Sequence, residues 1–326
     1  MKIEILQRRA SLLRELRAFF ESKGYWEVQT PSLSRDCCVD AWIEPFRVPL
    51  SGGGTGFLQT SPEFALKRLL CQGADRIYEV ARVFRQEELG PRHNPEFTMV
   101  EWYRCHVDHH LQMKFVEDLI FHLARFTERQ RWNHNLPILK LPSFRKMTYA
   151  EAFREFADVC PNEASLSELA EAARRTTAIL PRGLEQDRDG LLNLLLAEQV
   201  EPGFKQLKAV FLHDYPASQA ALAKIRTEKY PVAERFELYL DGIEICNGYH
   251  ELSDPIELQQ RTQSQNEKRR KAGLREIPDD SRLRQTMAKH PLPPSSGVAL
   301  GFDRLAMWCL GCSSIREVIA FPFDEA

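Results

Sequence analysis

Apolar residues recur with a helical period over residues 3–23, at Leu6, Leu12, Leu13, Leu16, Phe19 and Phe20, with charged residues between them, and Gly24 ends the run. YWEVQTP then reads as a strand closed by Pro31. SGGGTG is a turn, and FLQTSPEFALKRLL predicts a strand end followed by a helix with Pro62 at its first position. RIYEVARVFRQE and FTMVEWYRCHVD read as strands on either side of a polar loop. Residues 145–200 are mostly helical in rhythm. ERFELYLDGIEICNGYHEL alternates apolar and polar residues as paired strands do, with Asp241-Gly242 as the hairpin turn. A charged helical stretch covers residues 256–289, and SSGVALGFDRLAMWCL runs from a strand into a closing helix. With no internal repeat and no low-complexity linker, this order predicts an α+β fold, an antiparallel β-sheet flanked by helices, in a single domain over residues 1–326.

Composition narrows the classes of function. The chain is 43% hydrophobic and 28% charged, as ordinary globular proteins are, and long enough to bury a core without disulfides. A net charge of -2 argues against a broad basic field, so tRNA binding is not expected. One local basic run, Lys268, Arg269, Arg270 and Lys271 followed by Arg275, Arg282 and Arg284, reads either as a docking patch for an acidic partner or as a solvated helix face. The first residues lack the apolar core of an export signal and no apolar run approaches a membrane span, so a cytoplasmic protein without membrane attachment is expected. The eight cysteines, irregularly spaced, then read as reduced thiols. Cys309 and Cys312 form a CxxC with no second pair, and the apolar run around them predicts two buried thiols rather than a metal site.

Three segments carry the candidate chemistry. The first is the opening helix, glycine and strand. The second holds Phe84-Arg85-Gln86-Glu87, then His93-Asn94-Pro95-Glu96-Phe97 and Glu101. The third is Gly297-Val298-Ala299-Leu300-Gly301-Phe302-Asp303-Arg304. Singly, each charged residue would read as a solvated face or an ion pair, Phe97 as core and Gly301 as a turn. Together and in order they resemble motifs 1, 2 and 3 of the class II aminoacyl-tRNA synthetases, at about residues 8–31, 78–104 and 295–312, with a helical insertion at about 145–200. RHNPEFTMVEWY, DGIEICNGYHEL, SPEFALKRLL and REVIAFPF are similar to the lysyl-tRNA synthetase catalytic domain.

The resemblance implies ATP and Mg²⁺ as cofactors and in-line attack of a carboxylate on the α-phosphate. Both reactants are anions, so cations must hold them together and neutralise the developing charge. Arg85 would bridge the carboxylate and the α-phosphate with its planar fork, and Arg304 would lie over adenine and reach the γ-phosphate. Gln86, Glu87, Asn94, Phe97, Glu244, Ile245 and Gly301 complete the implied ATP site. Glu237 and Glu244 match the metal-binding glutamates, hard oxygen ligands that suit Mg²⁺. Ser61, Pro62, Glu63, Glu101, Tyr103, Asn247, Tyr249, Glu251 and Ala299 match the amino-acid pocket. Lysine carries two ammonium groups, and burying them requires carboxylates and hydrogen bonds. Glu251 and Tyr103 are expected at the distal ammonium, Glu63 at the amine nearer the carboxylate. The class also implies a homodimer through the motif 1 segment, where Leu12, Leu16, Phe19 and Phe20 form an apolar stripe.

Two departures sharpen the expectation. Motif 1 begins almost at the first residue, leaving no room for the anticodon-binding domain that precedes the lysyl-tRNA synthetase core. Motif 3 carries Ala299 where the family pattern has glycine. That combination is similar to the stand-alone lysyl-tRNA synthetase paralogues that act on elongation factor P, with (R)-β-lysine or lysine as substrate and a lysine side chain of that protein as acceptor. The alternatives are an enzyme of the same chemistry with an RNA acceptor, a catalytically inactive regulatory protein, and an enzyme that amidates with ammonia.

Overall fold

The computed structural model describes residues 2–134, 136–177, 179–279 and 281–326. In chain order its strands are β1 (Trp26–Glu27), β2 (Leu33–Ser34), β3 (Arg47–Pro49), β4 (Thr55–Leu58), β5 (Arg76–Phe84), β6 (Glu96–Cys105), β7 (Arg145–Thr148), β8 (Ala209–Pro216), β9 (Ile225–Arg226), β10 (Val232–Leu240), β11 (Ile243–His250) and β12 (Ser295–Gly301). The chain divides into two compact units, Met1–Leu136 with His250–Ala326, and Pro137–Tyr249. In each, a mixed, mostly antiparallel sheet is flanked by helices, the expected α+β class.

In the first unit β1, β5, β6 and β12 lie side by side, with β1 parallel to β5 and the rest antiparallel. A smaller antiparallel sheet orders β2, β4 and β3. Successive side chains of a strand point to opposite faces. One face of β5 and β6 presents Tyr78, Val100 and Trp102, all fully buried. The helix Lys2–Ser22 covers it, its Phe20 stacked on Tyr78 at 4.5 Å and set edge-on to Trp102 at 5.2 Å. Phe115 of the helix His109–Arg129 closes the same cluster at 5.5 Å from Phe20. Leu12, Leu16, Phe19 and Phe20 are buried within their own unit, so the stripe expected to offer a subunit contact packs on its own sheet instead. The opposite face presents Glu79, Ala81, Val83, Phe97, Met99, Glu101 and Tyr103, and it is this face that carries candidate chemistry.

The second unit orders β11, β10, β8 and β7, with β9 beside the start of β10 and β7 parallel to β8. The expected helical insertion lies here, as Tyr149–Phe156, Leu166–Arg174 and Arg188–Leu195, preceded by β7. The last of these continues through one π turn, Leu196–Val200, into Glu201–Leu207. Pro202 explains the wide turn: it lacks an amide hydrogen and its ring crowds the preceding turn's carbonyl. Phe153, Leu169, Leu191, Leu195, Phe204 and Leu212 join in one core. Asp241 and Gly242, both at positive φ, make the two-residue turn between β10 and β11 as expected. β8 was not foreseen. It lies between β10 and β7, its first four residues are all buried, and so it lacks the alternation that marks a half-exposed strand.

Among the described residues no helix is long and apolar enough to cross a membrane. Cys309 is buried and Cys312 half-buried, both as free thiols. The basic run needs correction. Arg269 is fully buried, its guanidinium donating to the carbonyls of Arg275, Asp40 and Ile43 and paired with Glu44. It anchors the 40–45 loop and is no part of a solvated face. Arg270 pairs with Glu276 and Lys271 with Glu267, which further reduces the field of the run.

Candidate active site

The antiparallel register of β6 and β12 sets large residues against small ones: Met99 against Gly301, Glu101 against Ala299, Tyr103 against Gly297. Gly297 is required. A Cβ there would overlap the Tyr103 ring and lie 2.7 Å from Glu251 Oε1. The glycine thereby lets the tyrosine and the carboxylate share one pocket.

Around it the structure brings together most of the expected amino-acid residues. Glu101 is 1% exposed; its Oε2 accepts from Ser61 Oγ at 2.7 Å and its Oε1 from Tyr103 Oη at 2.6 Å. The Tyr103 hydroxyl, expected at the distal ammonium, is thus directed at Glu101. Pro62 caps the helix Glu63–Cys71, one position earlier than expected, and the Glu63 amide donates to Ser61 Oγ at 3.0 Å. One turn on, Lys67 places its Nζ 2.5 Å from Glu63 Oε1 and 2.5 Å from Glu251 Oε2. Lys67 is 2% exposed and Glu251 3%. The Glu251 contact is one of charge at close range. Burial, and then the charge of Glu63, pushes Glu101 up to about 8 against the pull of its two hydroxyl partners. Burial likewise pushes Glu251 up to about 7, with Lys67 pulling the other way. Burial alone would lower Lys67, but Glu251 and Glu63 outweigh it and hold its pKa above that of an ordinary lysine. Ala299 is half-buried beside Phe97, packed on Ala81, Val83 and Met99.

Toward the other end of β6 the two expected arginines approach a common neighbour. Arg85 donates from Nε to Thr60 O at 3.3 Å, lies 3.3 Å from Glu88, and sits 5.1 Å above the Phe97 ring. Arg304 reaches Arg92 O at 3.4 Å and His93 Nε2 at 2.6 Å. Burial, and then the charge of Arg304, lowers His93 below its usual value, with Arg85 contributing, so the ring is neutral and can accept from the guanidinium. Gln86 is tied by its amide to Glu44 O and by its carboxamide to Pro45 O. Glu87 is exposed, in left-handed backbone at φ 63. Asn94 is buried; it donates to Glu96 O at 2.7 Å and accepts from Phe323 N at 3.0 Å, so its amide braces the loop. Gly301 ends β12 and begins the helix Phe302–Leu310. Asp303 points inward, accepting from Arg9 at 2.6 Å and Thr98 N at 2.7 Å, and so ties the motif 1 helix to β6 and the motif 3 helix while Arg304 faces outward.

In the second unit a β-bulge decides which side chains share a face. Tyr239 pairs with Glu244 but Leu238 with Cys246, leaving Ile245 as the extra residue. Glu244 and Asn247 therefore lie on the same face as Glu237, which strict alternation would have forbidden. Glu237 Oε1 accepts from Arg235 at 2.5 Å and its Oε2 from Tyr239 Oη at 2.5 Å. Asn247 accepts from Arg235 at 3.3 Å and donates to Tyr249 Oη at 3.2 Å. Ile245 is buried, consistent with the expectation that it contributes only backbone. Lys67 and Arg235 were both missed. Lys67 reads in sequence as an ordinary helical partner of Glu63 four residues away, and Arg235 as one polar position of an alternating strand.

An acidic pocket thus lies on a glycine-floored strand pair, with Arg85 just beyond the end of β5 and Arg304 in the helix that follows β12. The sequence profile of the class II tRNA synthetases (D, K and N) matches residues 2–325, and the chain belongs to that family. It is 43% identical to Elongation factor P--(R)-beta-lysine ligase of Edwardsiella ictaluri (strain 93-146), over 98% of this chain and 95% of that protein. It is 42% identical, with the same coverage, to the protein of that name from Yersinia enterocolitica serotype O:8 / biotype 1B (strain NCTC 13174 / 8081).

Proposed function

We propose that this chain uses ATP to activate (R)-β-lysine, or lysine, and transfers the aminoacyl group to a lysine side chain of elongation factor P. The observation that carries this reading is the pocket of the buried Glu101 and Glu251 with the half-buried Glu63, where two ammonium groups of a substrate would be held. A carboxylate oxygen of the substrate attacks the α-phosphate, pyrophosphate leaves, and the acceptor amine then attacks the acyl carbon and releases AMP. Arg85 exchanges its Glu88 and Thr60 contacts for the carboxylate and the α-phosphate, and Arg304 exchanges His93 for the γ-phosphate. Phe97 offers its ring to adenine. Of the proposed Mg²⁺ ligands, Glu244 shares a strand face with Glu237. Glu237 joins only by giving up Arg235 or Tyr239, so the donor set fits a hard cation in part. The methyl of Ala299, opposite Glu101, favours the displaced amine of β-lysine over the α-amine.

The names and coverage of the two relatives favour the protein acceptor over an RNA acceptor, an inactive regulator or ammonia. The enzyme is proposed to act in the cytoplasm as a homodimer. With the helical stripe buried, the exposed Trp26 and Leu33 carry that contact, and a monomer mass by light scattering at micromolar concentration would reject it. The deciding experiment offers elongation factor P, tRNA and ammonia to the enzyme with ATP and (R)-β-lysine. Labelling of elongation factor P alone is expected; labelling of tRNA in its place would overturn the reading.

A further inference from the structure

We propose that Lys67 is a positioning residue of the amino-acid pocket: an internal ammonium that holds Glu63 and Glu251 against each other and leaves the pocket two net negative charges for the substrate's two ammonium groups. The inference deepens the proposed function and rests on it for the identity of the substrate.

The geometry excludes the ordinary reading of such a lysine. A pair four residues apart on a helix normally stands in water and contributes a few tenths of a kcal/mol. Lys67 is 2% exposed and bridges two carboxylates from different parts of the chain, one on its own helix and one beyond β11. The charged and titratable groups that act on it include Glu63 and Cys71 on its helix, Glu101 and Tyr103 from β6, Glu251, and Cys38 from the loop after β2. The Tyr103 ring lies 5.9 Å from its Nζ. When all three carboxyl groups are ionised, they and the one ammonium leave a charge of two, and a diammonium substrate neutralises it.

Without Lys67 the three carboxylates would repel one another in a buried site, and buried like charges relieve this by taking up protons. A substrate ammonium would then have to displace those protons. Binding would be weak at neutral pH and recover as the pH rises.

The test is Lys67→Met in the full chain. In ATP–pyrophosphate exchange the KM for (R)-β-lysine or lysine should rise roughly ten- to a hundredfold at pH 7, the scale of losing one buried charge contact. By pH 9 the deficit should shrink to a few-fold, and the KM for ATP should stay within about twofold of wild type. A deficit equal at every pH marks a merely structural role and overturns the proposal, as does an unchanged KM. Lys67→Arg, which keeps the charge, should restore the wild-type pH profile if the methionine variant does not fold. A second measurement needs no ligase activity: without added amino acid at pH 7, the infrared carbonyl stretch of protonated carboxyl groups should be stronger in Lys67→Met and return to the wild-type level in Lys67→Met with Glu251→Gln. If the wild-type enzyme exchanges neither amino acid, the proposed function fails, and the infrared comparison alone decides the role of Lys67. An unchanged band would overturn it.

Discussion

Glu101, Tyr103, Lys67 and Glu251 are each at most 3% exposed and bound into one another, whereas Arg85 and Arg304, toward the other end of β6, keep partial contact with solvent. Their contacts include modest ones, a carbonyl and the half-buried Glu88 for Arg85, a carbonyl and a neutral histidine for Arg304. The difference follows from what each end must do. A phosphate chain is recognised by charge and by the fork of the guanidinium, so the arginines need only exchange modest partners for stronger ones. An amino acid is told from its analogues by groups left unpaired when the wrong one binds, and such penalties are large only in a dry, prearranged site.

The largest effect should come from the exposed end. Arg85→Ala is expected to reduce pyrophosphate exchange by roughly 10²-fold or more, the scale of losing one preorganised charge contact. Exchange near the wild-type rate would mean that the adenylate chemistry lies elsewhere. Lysine at this position should also be poor, because a point charge cannot replace the fork.

The buried end should fail differently. Gly297→Ala puts a methyl into the Tyr103 ring, and overpacking of this kind typically costs about 1–3 kcal/mol. The KM for the amino acid should rise about ten- to a hundredfold while the KM for ATP holds. Steady-state kinetics showing equal rises for both substrates would erase the distinction between the two regions.

The two ends should also differ in pH dependence. Glu101 and Glu251 are pushed up to about 8 and about 7, and a diammonium substrate requires both ionised. The KM for the amino acid should therefore fall steeply, by roughly 10²-fold or more, as the pH rises from 6 to 9. Stability moves the opposite way. Carboxyl groups raised in the folded state bind more protons there than in the unfolded chain. Their stabilising contribution is full below about pH 4.5 and is lost as the pH rises through 7 and 8. Thermal melts without amino acid should fall over that range, and added amino acid should stabilise more at pH 8.5 than at 6. A flat KM would place the titrating groups outside the pocket.

Much of this was legible in the sequence where side chains act through type and spacing. β5, β6 and β12 read as strands in the sequence, and Glu63, Glu101, Tyr103 and Glu251 stand in motifs that occur in order. What was not legible depends on register and depth. Arg269 reads as one of four consecutive cations, and only the loop folded over it makes it an internal clamp. Glu244 and Asn247 share a face only because Ile245 bulges. β8, buried from its first residue, has no periodicity to read.

The most direct test of the central claim, that a dry carboxylate pocket counts two ammonium groups, is a comparison of specificity constants in pyrophosphate exchange. (R)-β-lysine would be measured against one analogue lacking the distal ammonium and one lacking the ammonium nearer the carboxylate. The account predicts that kcat/KM falls by roughly 10³-fold or more for each, as expected when buried charged groups lose their partner. Either analogue reacting within about tenfold of (R)-β-lysine would contradict it.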